Sequence, residues 1–137
     1  MSSCQEIVLM AKEDNIPKAI KFEEDTMTSA GFASTEIMKV RLAVEEVCMN
    51  IVQHAYKKEK GSFRLSSSSI GSHLVVVIED EGIYFDPTQA DGPLLVDNVE
   101  ERPIGGLGIH LIKSFVEEMR YEFVDGKNAF TLMIKKD

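Results

Sequence analysis

At 137 residues, 44% of them hydrophobic, the chain is long enough for one ordinary domain, residues 1–137, with a full core. A net charge of −8 argues against holding a nucleic-acid backbone. It leaves open a basic partner, or a small phosphate ligand held by backbone amides and a metal ion. No apolar run reaches a membrane span, and the first residues lack the basic region and apolar run of a signal peptide. Two cysteines without zinc-like spacing give neither a disulfide framework nor a metal centre. The expectation is a cytoplasmic protein with no nucleic-acid or membrane partner.

Residues 6–11, with the run IVLMA, predict a first strand. Asn15 as a cap and Pro17 in the first turn open a helix over 16–30 that Gly31 stops. Ser34 or Thr35 caps a second, longer helix that ends at Gly61. Wound at about 100° per residue, it gathers Ile37, Val40, Val44, Val47, Cys48, Ile51 and Ala55 into one apolar arc. Met38, Leu42, Met49 and Val52 cover much of the other side, so the helix is expected to be mostly buried. A narrow stripe remains: Lys39, Ala43, Glu46, Asn50, Gln53, His54 and Lys57. Cys48 reads as a small core residue.

Residues 62–69 and 73–80 predict a hairpin that turns at Gly71-Ser72, with Leu74, Val76, Ile78 and Asp80 on one face. Residues 81–106 are rich in Gly and Pro and poor in regular pattern, and a loop that long is functional or disordered. A helix over 107–119 follows, with Ile109, Ile112, Phe115 and Val116 at helical spacing. Two strands, 120–124 and 129–135, then flank a turn at Asp125-Gly126-Lys127-Asn128. This order predicts an α+β fold: a two-layer α/β sandwich with helices on one face of a mixed, mostly antiparallel sheet.

Three pieces carry possible chemistry. Glu46 and Asn50 stand one helical turn apart and project side by side; they need partners or a cleft. Asp80 ends an apolar strand face, where its carboxylate can accept from an exocyclic amine, and Gly82 leaves room for a flat ring. Gly105-Gly106-Leu107-Gly108 opens a helix, whose N–H groups and dipole favour an anion such as phosphate. Singly, each is better read as a solvated stripe, a strand-end turn or a turn glycine cluster. Their joint order and spacing favours a site.

The segments EExxxNxxxHAY, DEGxxFDP and GGLGIHLI resemble the N, G1 and G2 boxes of the GHKL (histidine-kinase-like, Bergerat-fold) ATPases. The likeness is to the small anti-sigma-factor serine kinases of the RsbW and SpoIIAB type, and it covers nearly the whole chain. The resemblance implies ATP and Mg²⁺ as ligands. Asn50 would coordinate the Mg²⁺ and Glu46 would be the general base. Asp80 would bind the adenine amine and Gly82 would lie against the base. Gly105, Gly106, Leu107 and Gly108 would cradle phosphates, and residues 88–104 would form a mobile ATP lid. Arg102, the lid's only cation, either reaches the γ-phosphate or is solvated. Thr131 either supports the adenine end or simply suits a strand, and His54 and Tyr56 either serve the site or pack and cap the helix. Tyr84-Phe85-Asp86-Pro87 stands where a second close G1 glycine is common, a variant that looks like the anti-sigma subgroup.

The function implied is an ATP-dependent protein-serine kinase acting as an anti-sigma factor. It would phosphorylate a STAS-type antagonist and sequester a sigma factor, as a possible homodimer. The alternative is an ATP-binding partner-switch module without kinase activity.

Overall fold

The computed structural model describes residues 2–56, 60–83 and 116–136. Among the described residues, five strands form one sheet: β1 (Ser2–Met10), β2 (Ser62–Ile70), β3 (His73–Asp80), β4 (Glu118–Val124) and β5 (Lys127–Lys135). Their order is β1-β2-β3-β5-β4, and every pairing is antiparallel. Among the described residues, two α-helices, α1 (Ile16–Ser29) and α2 (Ser34–Asn50), pack with the sheet in an α+β sandwich. No described helix is long and apolar enough to cross a membrane.

The alternation expected of β3 is observed: Leu74, Val76, Ile78 and Asp80 are buried. Phe63 and Leu65 on β2 and Phe130, Leu132 and Ile134 on β5 share that face and meet the helices in one core. Removing each such side chain from water is worth about 1.5–3 kcal/mol. Helix α1 contributes Ile16, Ala19, Glu23 and Met27, spaced at helical intervals. From α2 come Val40, Val44, Val47 and Cys48, four of the residues predicted for its apolar arc, and also Ala43, which the sequence reading placed in the polar stripe.

Several local expectations shift. Asn15 occupies the cap position of α1, but its amide donates to the Met10 carbonyl at 2.9 Å and leaves the helix N–H groups alone. Gly31, at φ +84, stops α1 as expected, and the Phe32 N–H reaches back to the Met27 carbonyl in a Schellman closure. The cap of α2 is Ala33, not Ser34 or Thr35. Its N–H donates to the Glu36 carboxylate at 2.8 Å, half of a capping box. Met38 and Leu42 are 62% and 50% exposed, so α2 is less buried than its apolar circumference predicts.

Glu118 and Met119 belong to β4, where Met119 pairs with Leu132, rather than to the end of the predicted helix; residues 107–115 lie outside the described residues. The last hairpin turns on two residues, Asp125 and Gly126, at φ +55 and +76. That is a type I′ geometry, and it releases Lys127 and Asn128 from the predicted turn into β5.

Candidate functional site

Strand register builds one wall of a cleft. Asp80 on β3 faces Asn128 on β5, and two residue pairs further in Ile78 faces Tyr121's partner, Phe130. Because side chains alternate along a strand, Ile78, Asp80, Asn128, Phe130 and Tyr121 share one face. The end of α2 supplies the opposite wall with Val47, Asn50, Ile51 and Ala55. Together these residues line a cleft that is apolar except for Asn50, Asp80, Asn128 and the Tyr121 hydroxyl. That lining suits a planar group held by a few fixed polar contacts.

Asp80 is buried, and its Oδ1 carries two donors: the Gly82 N–H at 2.8 Å and the Asn128 amide at 2.9 Å. Burial raises its pKa, while the bonds from Asn128 and Gly82 pull the other way. Asn128 also donates to the Ile83 carbonyl at 2.8 Å and accepts from the Tyr121 hydroxyl. The loop after β3 is therefore stapled to β5.

Beyond Asn50, the helix continues as a π turn, Ile51–Ala55. Such turns often occur at functional sites. The Ala55 carbonyl accepts from the Ile83 N–H at 2.9 Å. Gly82 lies so close that a methyl group there would run into the Ala55 carbonyl and Cβ. Its missing side chain thus makes room for the helix end. Tyr56 is a strut: its hydroxyl donates to the Ser62 carbonyl at 2.6 Å and accepts from the Glu81 N–H at 2.8 Å.

Glu46 lies one turn before Asn50 and is half-buried. Its carboxyl is pushed up to about 7, chiefly by burial and then by the neighbouring Glu45 charge. A group with that pKa can accept a proton near neutrality.

The structure thus brings Asn50 and Asp80 to one cleft, with Glu46 on the same helix. It does not bring Thr131 there. Thr131 pairs with Val77 and Arg120 and alternates with the inward-facing Phe130 and Leu132, so it points to the opposite face of the sheet. The polar side chain at that end is Asn128, two strand positions from buried Phe130. Sequence reasoning missed Asn128 and Tyr121. The available signal was a polar residue in phase with Phe130, Leu132 and Ile134, hidden by assigning it to the turn. Arg102, Gly105, Gly106, Leu107, Gly108 and the expected lid at 88–104 lie outside the described residues. Among the described residues, no three of His, Cys, Asp or Glu converge to hold a metal ion.

Comparison with known proteins bears on this arrangement. The family described as the histidine kinase-like ATPase domain matches residues 9–134. The serine-protein kinase RsbW of Bacillus thuringiensis (strain Al Hakam) is 32% identical over 100 residues, covering 70% of this chain and 62% of that protein. The RsbW proteins of Bacillus cereus and Bacillus anthracis match with the same identity and coverage. The match spans less than two thirds of these relatives' length. The solved structure of the RsbU and RsbW domains of Rv1364c from Mycobacterium tuberculosis shares the fold, with a TM-score of 0.72 at 18% identity, over 98% of this chain and 32% of that one.

Proposed function

The chain belongs to the histidine kinase-like ATPase domain family, and from that premise we propose that it is an ATP-dependent protein-serine kinase acting as an anti-sigma factor. It phosphorylates a STAS-type antagonist and sequesters a sigma factor when unopposed. Its similarity to proteins named serine-protein kinase RsbW supports this reading. The observation that carries it is the shared cleft of Asn50 and Asp80, with Glu46 one turn away at a pKa of about 7.

In this reading the apolar walls, Val47, Ile51, Ile78 and Phe130, hold the adenine, and the Asp80 carboxylate accepts from its amine. The residues present fit a metal-nucleotide complex: an amide oxygen at Asn50 is a suitable hard ligand for Mg²⁺, which usually completes its shell with phosphates and water. When bound, the ion supplies charge neutralisation to the phosphates. Glu46 accepts the proton of the attacking serine hydroxyl as that oxygen bonds the γ-phosphorus. The bond to the bridging oxygen breaks and ADP leaves. A half-buried carboxyl with a near-neutral pKa favours this over a switch that binds ATP without transfer.

The test is transfer of labelled γ-phosphate to candidate STAS proteins. Glu46→Ala should still bind Mg-ATP by calorimetry but lose transfer by about 10²- to 10⁴-fold, the usual contribution of a general base. Asn50→Ala should weaken Mg-ATP binding. Transfer surviving in Glu46→Ala would remove Glu46 as the base, and no uptake of ATP by the wild type would remove the reading altogether.

A further inference from the structure

Three polar side chains in the cleft, those of Asp80, Asn128 and Tyr121, are joined in a way that the nucleotide reading does not by itself require. The Asn128 amide nitrogen faces three acceptors: Asp80 Oδ1 at 2.9 Å, the Ile83 carbonyl at 2.8 Å and the Gly82 carbonyl at 3.4 Å. Its Oδ1 receives the Tyr121 hydroxyl proton. A flipped amide would set oxygen against three oxygens, so the orientation is fixed by chemistry. Asn128 and Asp80 are 5% and 6% exposed, so water is poorly placed to replace either partner. Asp80 Oδ1 is thereby engaged twice, by Asn128 and by the Gly82 N–H. Oδ2 has no partner among the described residues, and Asp80 lines the cleft.

We propose that Asn128, held by Tyr121, is a specificity-determining residue that reduces Asp80 to a single acceptor oxygen, so that the cleft takes a purine with a 6-amino group and refuses guanine. The inference rests on the reading of this cleft as a nucleotide site. The Watson–Crick edge of guanine presents two adjacent donors, N1–H and the 2-amino group, and a carboxylate with both oxygens open would take them as a pair. Adenine offers one donor there, the 6-amino group, beside the N1 acceptor, and needs one oxygen. With Oδ1 engaged, paired recognition of guanine is lost, and its 6-oxo group meets a carboxylate as acceptor against acceptor. Asn128 acts through Asp80 and is a positioning residue. Tyr121 acts one step further back by holding the amide in register.

Titration of wild type and variants with fluorescent ATP and GTP analogues, read as dissociation constants, tests this. Asn128→Ala should weaken ATP and spare or improve GTP, so that the ATP-to-GTP preference falls about tenfold or more, the scale of one hydrogen bond to a charged group. Asn128→Asp keeps the shape and supplies a second readout if the alanine variant does not fold. Two facing carboxylates share a proton, and a protonated Asp at 128 restores the donor to Asp80. Measured against wild type at the same pH, the ATP affinity of that variant should therefore fall about tenfold between roughly pH 6 and pH 8. Tyr121→Phe should lower the preference in the same direction, by less. An unchanged preference in Asn128→Ala, or a pH-independent Asn128→Asp, overturns the inference while ATP binding by the wild type keeps the nucleotide reading. Failure of the wild type to bind either nucleotide overturns both.

Discussion

Glu46 illustrates how one position acquires its chemistry from its surroundings. Its ordinary carboxyl is carried to about 7 by burial on α2, with Glu45 adding repulsion. Only the ionised form accepts a proton, so phosphotransfer should rise with pH as Glu46 ionises and level off above about 7. Glu45→Gln removes the smaller of the two causes, so the rising limb should move to lower pH by less than the whole shift. Initial transfer rates across pH, for wild type and Glu45→Gln, check both. A limb unmoved by Glu45→Gln, or one that falls with rising pH, contradicts the assignment. The pair Glu46 and Asn50 was legible because a four-residue interval has one meaning on a helix. Asn128 was not legible, because its meaning depends on whether the turn takes two residues or four.

At the scale of elements, the end of α2 and the loop after β3 approach each other closely beside the cleft. The π turn carries the Ala55 carbonyl to the Ile83 N–H, and Gly82 has no side chain at the point of closest approach. The obstacle to a larger residue is backbone, which cannot rotate away. Gly82→Ala should cost about 1–3 kcal/mol of stability, as overpacking does. It should also weaken nucleotide affinity, because the same displacement moves the Gly82 N–H off Asp80. Denaturant unfolding and calorimetry with Mg-ATP measure the two effects; a variant as stable and as tight-binding as wild type would show that the contact yields. Periodicity found α2 but not its π turn, since an i to i+5 pattern over five residues leaves no trace in the spacing of apolar side chains.

Across the whole molecule, Glu23 sets a pH dependence of folding. It is fully buried between α1 and β2, its Oε2 accepts the Ser67 hydroxyl at 2.8 Å, and its Oε1 has no partner among the described residues. Burial pushes its carboxyl up to about 7, against a small opposing effect from Ser67. A pKa raised on folding means the native state holds a proton that the unfolded chain has already lost. The resulting stability is present in full below about 4.5 and is lost as pH rises through about 7. Glu23→Gln should flatten that decline, which amounts to something on the order of 3 kcal/mol. A smaller slope should remain from Glu46, whose half-buried carboxyl titrates in the same direction. Chemical denaturation from acid to alkaline pH gives the answer, and an equally steep decline in the variant would remove Glu23 as its source.

The sequence by itself determined the class of fold, the inward face of β3, the stop at Gly31 and the pairing of Glu46 with Asn50. Each follows from local rules: a period of two or of 3.6, a left-handed glycine, a fixed interval. The tertiary structure alone decided that Asn128 reaches Asp80, that Thr131 faces away from the cleft and that Gly82 yields space to Ala55. It also left Met38 and Leu42 on the outside of a helix whose composition predicts burial on both sides. The physical reason is register. A shift of one residue in a strand reverses its faces, and that shift is set by partners far away in the chain, which no local window contains.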